Sequence, residues 1–167
     1  MGASTLISLA EYLSTSYRPD CDHVDGEVRE RHCGERDLSA AMRDVLLYLC
    51  GLSAGQRERT FLTLRVRVNA TRVRVPDVCI TRHGAPEEQV VETAPELCIE
   101  ILSPEDTMTR TLEKINDYFA MGVPTCWVVD PIGRQGWIAT PGRLEDATDG
   151  ILRASGIEMP LSAVLEE

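Results

Sequence analysis

The chain has 167 residues and a formal net charge of −10 at pH 7, a length that suits one domain, here residues 1–167, and is too short for two. A strongly acidic surface repels phosphate backbones, which counts against a general, tight nucleic-acid binder but not against an enzyme whose metal ions and local basic residues offset the charge. No apolar run is long enough to span a bilayer, and the N-terminus has no basic leader region, so we expect a soluble, cytoplasmic protein with no membrane partner.

The first predicted elements are a short helix and a turn. In SLAEYL, Ser8 and Glu11 have the spacing of a capping box, with a helix start at Ser4 as the alternative. The segment VDGE then turns the chain, and Val28 begins a short edge strand.

A longer helix and a pair of strands follow. Residues 38–50 repeat apolar side chains at helical spacing, and Gly51 stands where a C-cap is expected. Residues 61–69 and 72–81 alternate apolar and polar side chains with a period of two, which predicts antiparallel strands joined near Asn69.

The second half of the chain predicts a β-α-β unit. Residues 96–103 are a short apolar strand of the buried kind, and residues 105–123 are an amphipathic helix closed by Gly122. Residues 125–130 and 135–140 are a buried strand and its hairpin partner, after which the C-terminal residues carry little pattern. This order of elements predicts an α/β fold with a mixed β-sheet flanked by helices.

The six cysteines show no CxxC spacing and no close pairing with histidine, so they do not indicate a zinc site. Cys79, Cys98 and Cys126 lie among apolar neighbours in predicted strands, where a free thiol packs as a small hydrophobic group. We therefore expect reduced cysteines, with these three buried.

The histidines and tryptophans are predicted to have structural rather than catalytic roles. His23, His32 and His83 are predicted to lie in loops on the solvated surface, and His23 is the one of the three that stands beside a candidate site residue. Trp127 and Trp137 are predicted to pack in the core or in the hairpin.

Lys114 is the only lysine in the chain, beside 16 arginines. A lysine that remains in such a composition is a candidate for chemistry that arginine cannot perform, although chance is the simpler explanation. Tyr118 follows one helical turn later and is predicted to pack in the core.

Two carboxylates interrupt predicted apolar strands: Asp77 in VPDVCI and Glu100 in LCIEILS. An unpaired buried carboxylate is costly, so burial requires a cation, a metal or a shifted pKa. If the strands are neighbours, both carboxylates face one site, where Mg²⁺ or Mn²⁺ relieves their repulsion and Lys114 positions an attacking water. The alternatives are an arginine partner for Glu100 and a helix-surface pair between Lys114 and Glu113.

Three blocks in order, VRVPDVCITR, PELCIEILSPEDT and EKINDYFAMGVPTCWVVDP, resemble the Uma-type restriction endonuclease family, a bacterial branch of the PD-(D/E)XK nuclease superfamily. The resemblance covers residues 65–131 well and the N-terminal third loosely. It implies a restriction endonuclease-like fold and hydrolysis of DNA that depends on Mg²⁺ or Mn²⁺.

The resemblance also implies a role for each matching residue. Asp77 matches the first metal-binding carboxylate and Glu100 the acidic residue of the second motif, and the carbonyl group of Ile101 helps to hold the metal. Leu102 stands where the superfamily has its lysine. In this family the lysine comes instead from the following helix, where Lys114 matches it.

The N-terminal block of the family has an acidic residue shortly before a turn. Asp22 stands at that place, with Asp25 and Glu27 as neighbours that can substitute for it. Two features depart from the family pattern: the next helix does not begin with a histidine, and Arg110 replaces an acidic residue four positions before the lysine.

Two functions follow as hypotheses. The first is a metal-dependent DNA endonuclease, a homodimer by analogy with nucleases that cut two strands. Four arginines lie in the predicted strands before Asp77: Arg65, Arg67, Arg72 and Arg74. Either they offset the negative charge of the protein near the phosphate, or they form a solvated strand face. The second is a catalytically inactive nuclease-fold protein that serves as an interaction or assembly module, which the acidic surface and the departures from the family pattern favour.

Overall fold

The structure of the protein, a computed structural model, describes residues 6–32 and 34–165. Within these ranges no helix is long and apolar enough to cross a bilayer. The helices are α1 Leu9–Ser14, α2 Arg36–Leu52, α3 Ala54–Arg59 and α4 Met108–Met121, with a 3₁₀ turn at Leu161–Ala163. The strands are β1 Asp22–Val24, β2 Glu27–Arg29, β3 Thr60–Leu62, β4 Val66–Arg67, β5 Arg72–Arg74, β6 Val78–Ile80, β7 Leu97–Ile101, β8 Thr125–Asp130, β9 Gln135–Thr140, β10 Arg143–Asp146, β11 Ile151–Ala154 and β12 Ile157–Pro160.

The strands form two sheets and a separate hairpin. One sheet has the order β2-β1-β5-β4, the other has the order β10-β9-β8-β7-β6-β3, and β11 pairs with β12. In the six-stranded sheet β7 and β8 run parallel and the other neighbours run antiparallel. Parallel neighbours require a crossover connection, which α4 supplies. The predicted α/β fold with a mixed sheet flanked by helices is therefore confirmed.

The six-stranded sheet is packed on both faces. One face packs against α2 and the C-terminal hairpin, and the other packs against α4. Cys79, Cys98 and Cys126 are in register across β6, β7 and β8, and all three are buried free thiols, as predicted. Because side chains alternate along a strand, Glu100 shares the α4 face with Cys98.

Two helix termini agree with the sequence pattern. The Ser8 hydroxyl accepts a hydrogen bond from the N–H of Glu11 at 3.1 Å and begins α1, while the alternative start at Ser4 lies outside the described residues. Gly122 ends α4 in the left-handed region, with φ 107°, as a C-cap glycine does.

The predicted end of the second helix is wrong. Helix α2 continues through Gly51 to Leu52, and its C-cap is Ser53. The Ser53 hydroxyl also accepts a hydrogen bond from the N–H of Gln56 at 3.0 Å and begins α3, a helix that the sequence did not predict. A glycine near the end of a helix costs only about 1 kcal/mol. The strong N-cap at Ser53 therefore decides where the chain turns.

The two long strands predicted at residues 61–69 and 72–81 are each divided in two. Strand β4 pairs with β5 in one sheet, and β3 pairs with β6 in the other. One break contains Thr63, with φ 47°, and the other contains Pro76, which has no N–H to donate to a ladder. Asp77 consequently lies in a bend ahead of β6, and its carbonyl oxygen accepts a hydrogen bond from the N–H of Thr63 at 3.1 Å.

The VDGE turn connects two short strands. Asp25 and Gly26 have φ 52° and 94°, as expected in a two-residue hairpin turn. The turn joins β1 to β2, and β2 lies at the edge of its sheet, as predicted. Strand β1 was not predicted, and it carries Asp22.

His23 is buried in β1, so its predicted position in a surface loop is wrong. Its ring centroid lies 5.1 Å from that of Tyr12, and Nε2 lies 3.1 Å from the carbonyl oxygen of Ile7. Its buried Nδ1 has no hydrogen-bond partner among the residues that the structure describes. His23 is thus part of the packing between α1 and the four-stranded sheet.

The C-terminal residues form more structure than their sequence indicated. Strand β10 extends the six-stranded sheet, and the β11–β12 hairpin packs against the face that also contacts α2. Leu152 and Met159 are completely buried there. Trp127 is also completely buried and Trp137 partly buried, so both tryptophans pack as predicted.

Candidate active site

The Asp77 side chain is fixed by the strand next to it. Its Oδ2 accepts a hydrogen bond from the backbone N–H of Ile101 at 2.8 Å, and its Oδ1 accepts one from the guanidinium of Arg31. The Asp77 side chain is 9% exposed. The bend at Pro76 therefore directs the carboxylate toward the end of β7.

Glu100 is buried in β7 below helix α4. Its Oε2 accepts a hydrogen bond from Lys114 Nζ at 2.7 Å, and its Oε1 accepts one from the hydroxyl of Tyr118 at 2.8 Å. Lys114 and Tyr118 lie one turn apart on α4 and thus share a face of the helix. The crossover helix therefore places a cation and a hydroxyl on one carboxylate.

Lys114 is held by two acceptors. Besides the carboxylate of Glu100, its Nζ donates to the carbonyl oxygen of Val75 at 2.8 Å. An ammonium group has three donors, so one N–H remains for a water or a phosphate oxygen. The sole lysine of the chain is buried within the candidate site, and it does not pair with Glu113, which binds Arg29 and Arg74 instead.

Burial shifts the ionisation of these groups. Desolvation raises the pKa of Glu100 to about 7, although attraction to Lys114 acts to lower it. Burial acts to lower the pKa of Lys114, but attraction to Asp22, Glu100 and Asp77 outweighs this effect and raises it. Lys114 therefore carries its charge at neutral pH, while Glu100 titrates close to neutrality.

Asp22 reaches the same region from β1. Its Oδ1 accepts a hydrogen bond from the N–H of Val75 at 2.8 Å, and its Oδ2 accepts one from Arg74 at 3.1 Å. Asp22 and Arg74 are both buried. Asp22 thus lies beside Asp77 and Glu100 in the lining of one cavity.

Glu27 is placed differently from Asp22. It does not line that cavity, its side chain is 46% exposed, and it pairs with Arg29 in its own strand. Asp25 is occupied at the hairpin turn, where it accepts hydrogen bonds from Thr71 and Arg72. Of the N-terminal acidic residues proposed from the sequence, Asp22 is the one that the fold brings to the site.

The strand arginines do not form a solvated face. Each has an acidic partner, and Arg74 is buried among three of them. The other pairs are Arg65 with Asp20, Arg67 with Glu92, and Arg72 with Asp25 and Asp117.

Several cavity-lining residues were not assigned to the site from the sequence, among them Arg31, His32 and Arg110. Arg31 contacts Asp77, while Arg110 donates a hydrogen bond to the carbonyl oxygen of Glu30 at 2.9 Å and lies 3.4 Å from His32 Nε2. No periodic signal identifies Arg31 or His32, because both lie in the connection after β2, outside regular secondary structure.

The cavity itself is small, about 50 Å³. This volume accommodates an ion or a few waters. A larger cavity, about 760 Å³, lies beside β9 and the C-terminal hairpin, and none of the candidate site residues lines it. We therefore locate the candidate active site at the smaller cavity.

The donors around the small cavity are of the type that Mg²⁺ and Mn²⁺ prefer. The carboxylates of Asp77 and Glu100 and the carbonyl of Ile101 are hard oxygen ligands, and a carboxylate oxygen that accepts one hydrogen bond keeps a second lone pair. Within residues 6–32 and 34–165 no cluster of three or more His, Cys, Asp or Glu residues is arranged to hold a metal. A cation here would thus take its other ligands from water or substrate, as Mg²⁺ commonly does.

Comparison with known proteins identifies a family and a fold. A family model named Uma2, described as "Putative restriction endonuclease", matches residues 9–157. Among solved structures, the chain is similar to a "putative nuclease belonging to DUF820" from Anabaena variabilis, with 22% identity, a TM-score of 0.80, and coverage of 95% of this chain and 97% of that chain. This likeness confirms the expected nuclease fold. No curated protein matches the chain.

Proposed function

Because the chain belongs to the Uma2 restriction endonuclease family, we propose that it hydrolyses phosphodiester bonds of DNA with Mg²⁺ or Mn²⁺ bound at Asp77 and Glu100. The observation that carries this proposal is the position of the only lysine. Lys114 Nζ lies 2.7 Å from Glu100 Oε2, in the cavity that Asp77 also lines. Carboxylates are ligands that suit a divalent cation, and an ammonium group beside them can stabilise the charge that develops on a phosphate.

The metal, when bound, supplies Lewis-acid stabilisation of the charge that develops on the phosphate. Asp77, Glu100 and the carbonyl of Ile101 would be its ligands. Lys114 uses its remaining N–H to orient the attacking water or to bind a phosphate oxygen, because its other two donors are already held by the protein. The water oxygen bonds to phosphorus and loses a proton to solvent, the bond to the leaving oxygen breaks, and that oxygen takes up a proton from solvent and ends as a hydroxyl.

Two neighbours support this arrangement. Tyr118 donates to Glu100 Oε1 and the N–H of Ile101 donates to Asp77 Oδ2, so each carboxylate has a fixed orientation. Asp22 lines the same cavity and we assign it, rather than the more exposed Glu27, as the third acidic residue of the site.

A DNA substrate requires that the acidic field of the protein be offset locally. Arg31, Arg110 and Lys114 line the cavity and provide positive charge where the phosphate would lie.

We also propose a cytoplasmic homodimer. The five described cysteines are free, as in a reducing compartment, and two sites would cut the two strands of a duplex. Size-exclusion chromatography with light scattering measures the oligomeric state.

The test is cleavage of supercoiled plasmid by the full chain with Mg²⁺ or Mn²⁺. Asp77→Asn, Glu100→Gln and Lys114→Met are each expected to lower the rate at least about 100-fold, as removal of a charged catalytic group does. Asp149→Asn is the matched control, since Asp149 lies in the loop before β11 and pairs with Arg153. Its rate should equal that of the wild type.

Cleavage that survives EDTA would overturn the metal dependence. Equal cleavage by the wild type and all three site variants would show that the nuclease activity comes from a contaminant. Absence of cleavage with either metal, at any protein concentration, would favour the second candidate function.

That second function is an inactive nuclease fold that serves as an interaction or assembly module. The observation in its favour is that protein groups already bond all four oxygens of Asp77 and Glu100. If the protein is a module of this kind, calorimetry should detect no Mn²⁺ binding, and Asp77→Asn should bind the partner as well as the wild type does.

A further inference from the structure

Each carboxylate of the candidate active site is paired with one cation of the protein. The pairs are Asp22 with Arg74, Asp77 with Arg31, and Glu100 with Lys114. Each of the three carboxylates therefore has a positively charged partner without any metal. A divalent cation bound at Asp77 or Glu100 would be repelled by the Arg31 and Lys114 cations that already contact these carboxylates, which is unfavourable in a buried place.

The three cations are not held equally. Arg74 donates hydrogen bonds to Asp117, Asp22 and Glu113, and Lys114 donates to Glu100 and to the carbonyl oxygen of Val75. Among the residues that the structure describes, Arg31 has one hydrogen-bond partner, Asp77. Arg31 is consequently the cation whose departure breaks the fewest hydrogen bonds.

The position of Arg31 in the chain also permits it to leave. It lies in the connection between β2 and α2, outside regular secondary structure, whereas Arg74 is in β5 and Lys114 is in α4. Its side chain is 10% exposed and lines the cavity that leads to Asp77 and Glu100. Because Arg31 lies outside the strands and helices, a change of its side-chain rotamer would not require any of them to move.

We propose that Arg31 is an internal counter-ion that competes with the divalent cation for Asp77, so that Arg31 sets the metal affinity of the site. Arg31 and a bound metal would both draw on the negative charge of the Asp77 carboxylate, and the positive charge of Arg31 disfavours a second cation beside it. This inference rests on the proposed metal site at Asp77 and Glu100. An arginine that only stabilised the fold would not affect the affinity for metal in this direction.

The experiment measures Mn²⁺ binding by isothermal titration calorimetry on the full chain, without DNA. Arg31→Gln removes the charge and is expected to bind Mn²⁺ at least about tenfold more tightly than the wild type, equivalent to about 1.4 kcal/mol. Arg31→Met gives the same test if Arg31→Gln does not fold, as judged by circular dichroism. The Mg²⁺ concentration that gives half-maximal cleavage should fall by the same factor.

Arg110→Gln is the matched control. Arg110 lines the same cavity but contacts Glu30 and His32 rather than Asp77, so its loss should change Mn²⁺ affinity less than about threefold. The double variant Arg31→Gln/Asp77→Asn should lose the gain, because the competition takes place at Asp77.

The possible results separate the inference from the proposed function. If the wild type binds Mn²⁺ and Arg31→Gln binds it no more tightly, the proposed role of Arg31 is overturned and the proposed metal site still stands. An equal gain in Arg110→Gln also overturns it, since general charge would then be the cause. Absence of Mn²⁺ binding in both wild type and Arg31→Gln overturns the inference and the proposed metal site together.

Discussion

Lys114 Nζ lies 2.7 Å from Glu100 Oε2, and the two side chains are 12% and 8% exposed. A buried ion pair of this kind is costly to break from one side, because the remaining charge loses its partner but stays buried. Burial also raises the pKa of Glu100 to about 7, so the carboxylate can escape that cost by taking up a proton. The stability of the pair is therefore tied to pH.

Lys114→Met should destabilise the protein by about 3 kcal/mol at pH 8, where the wild-type Glu100 is ionised, and by clearly less at pH 5, where it is protonated. Urea denaturation at both pH values, in EDTA, measures the free energy of unfolding. The double variant Lys114→Met/Glu100→Gln is the control and should recover most of the loss at pH 8. An equal loss at both pH values would contradict the prediction.

Much of this site was accessible from the sequence because it depends on local periodicity. Alternation in β7 places Glu100 on the same face as Cys98, and helical spacing places Lys114 and Tyr118 on one side of α4. A strand followed by a helix and a parallel strand requires that the helix cover the sheet. These rules are sufficient to bring Lys114 to Glu100 and to propose Asp77 as a second carboxylate of a metal site, and the resemblance to a nuclease family added the reaction.

The positions of Arg31 and Arg74 could not be predicted from these periodicity rules. Arg31 meets Asp77 across 46 positions of the chain, through a connection that has no period to interpret. Arg74 alternates like a solvated strand residue, yet it is buried because the strand is divided and β5 joins the smaller sheet. The two predicted strands are interrupted at Thr63 and Pro76 because the chain passes there from one sheet to the other. That passage depends on tertiary packing, which local sequence patterns do not reveal.

The raised pKa of Glu100 gives stability a defined pH dependence. The ordinary pKa is 4.5 and the folded value is about 7, so between these values the folded protein holds a proton that the unfolded chain has released. The stabilisation is complete below pH 4.5 and is lost as pH rises through 7. Its full size is up to about 3 kcal/mol.

Glu100→Gln isolates this contribution, because the amide does not titrate. The difference in unfolding free energy between Glu100→Gln and the wild type, measured by urea denaturation in EDTA, should shift in favour of the variant as pH rises from 5 to 8. A difference that stays constant over this range would show that Glu100 titrates at its ordinary pKa.

Tyr118→Phe removes one hydrogen bond and little else. The Tyr118 hydroxyl donates to Glu100 Oε1 at 2.8 Å in a buried setting, and bonds to charged groups are worth about 1.5–3 kcal/mol. We expect a loss of about 2 kcal/mol at pH 8, measured by urea denaturation. Tyr48→Phe is the matched control, because the Tyr48 hydroxyl donates to the carbonyl oxygen of Glu158 near the surface. The control should lose less than about 1 kcal/mol, and equal losses would count against a special role for the Glu100 contact.

Arg74 is expected to be the arginine on which the fold depends most. Its side chain is 4% exposed and pairs with Asp22, Asp117 and Glu113, which joins β5 to β1 and to helix α4. Arg74→Met keeps much of the volume but leaves buried carboxylates without a cation, so we expect a loss of about 3–5 kcal/mol in unfolding free energy.

Arg67→Met provides the comparison for Arg74→Met. Arg67 lies in the adjacent strand β4, its side chain is 36% exposed, and it pairs with Glu92. An exposed pair contributes only about 0–1 kcal/mol, so this variant should unfold near the wild-type urea concentration. Because Arg74 also positions Asp22 beside the candidate site, Arg74→Met should lower plasmid cleavage even at temperatures where it remains folded. Similar losses of stability in the two variants would mean that the buried network around Arg74 does not hold the sheets and α4 together.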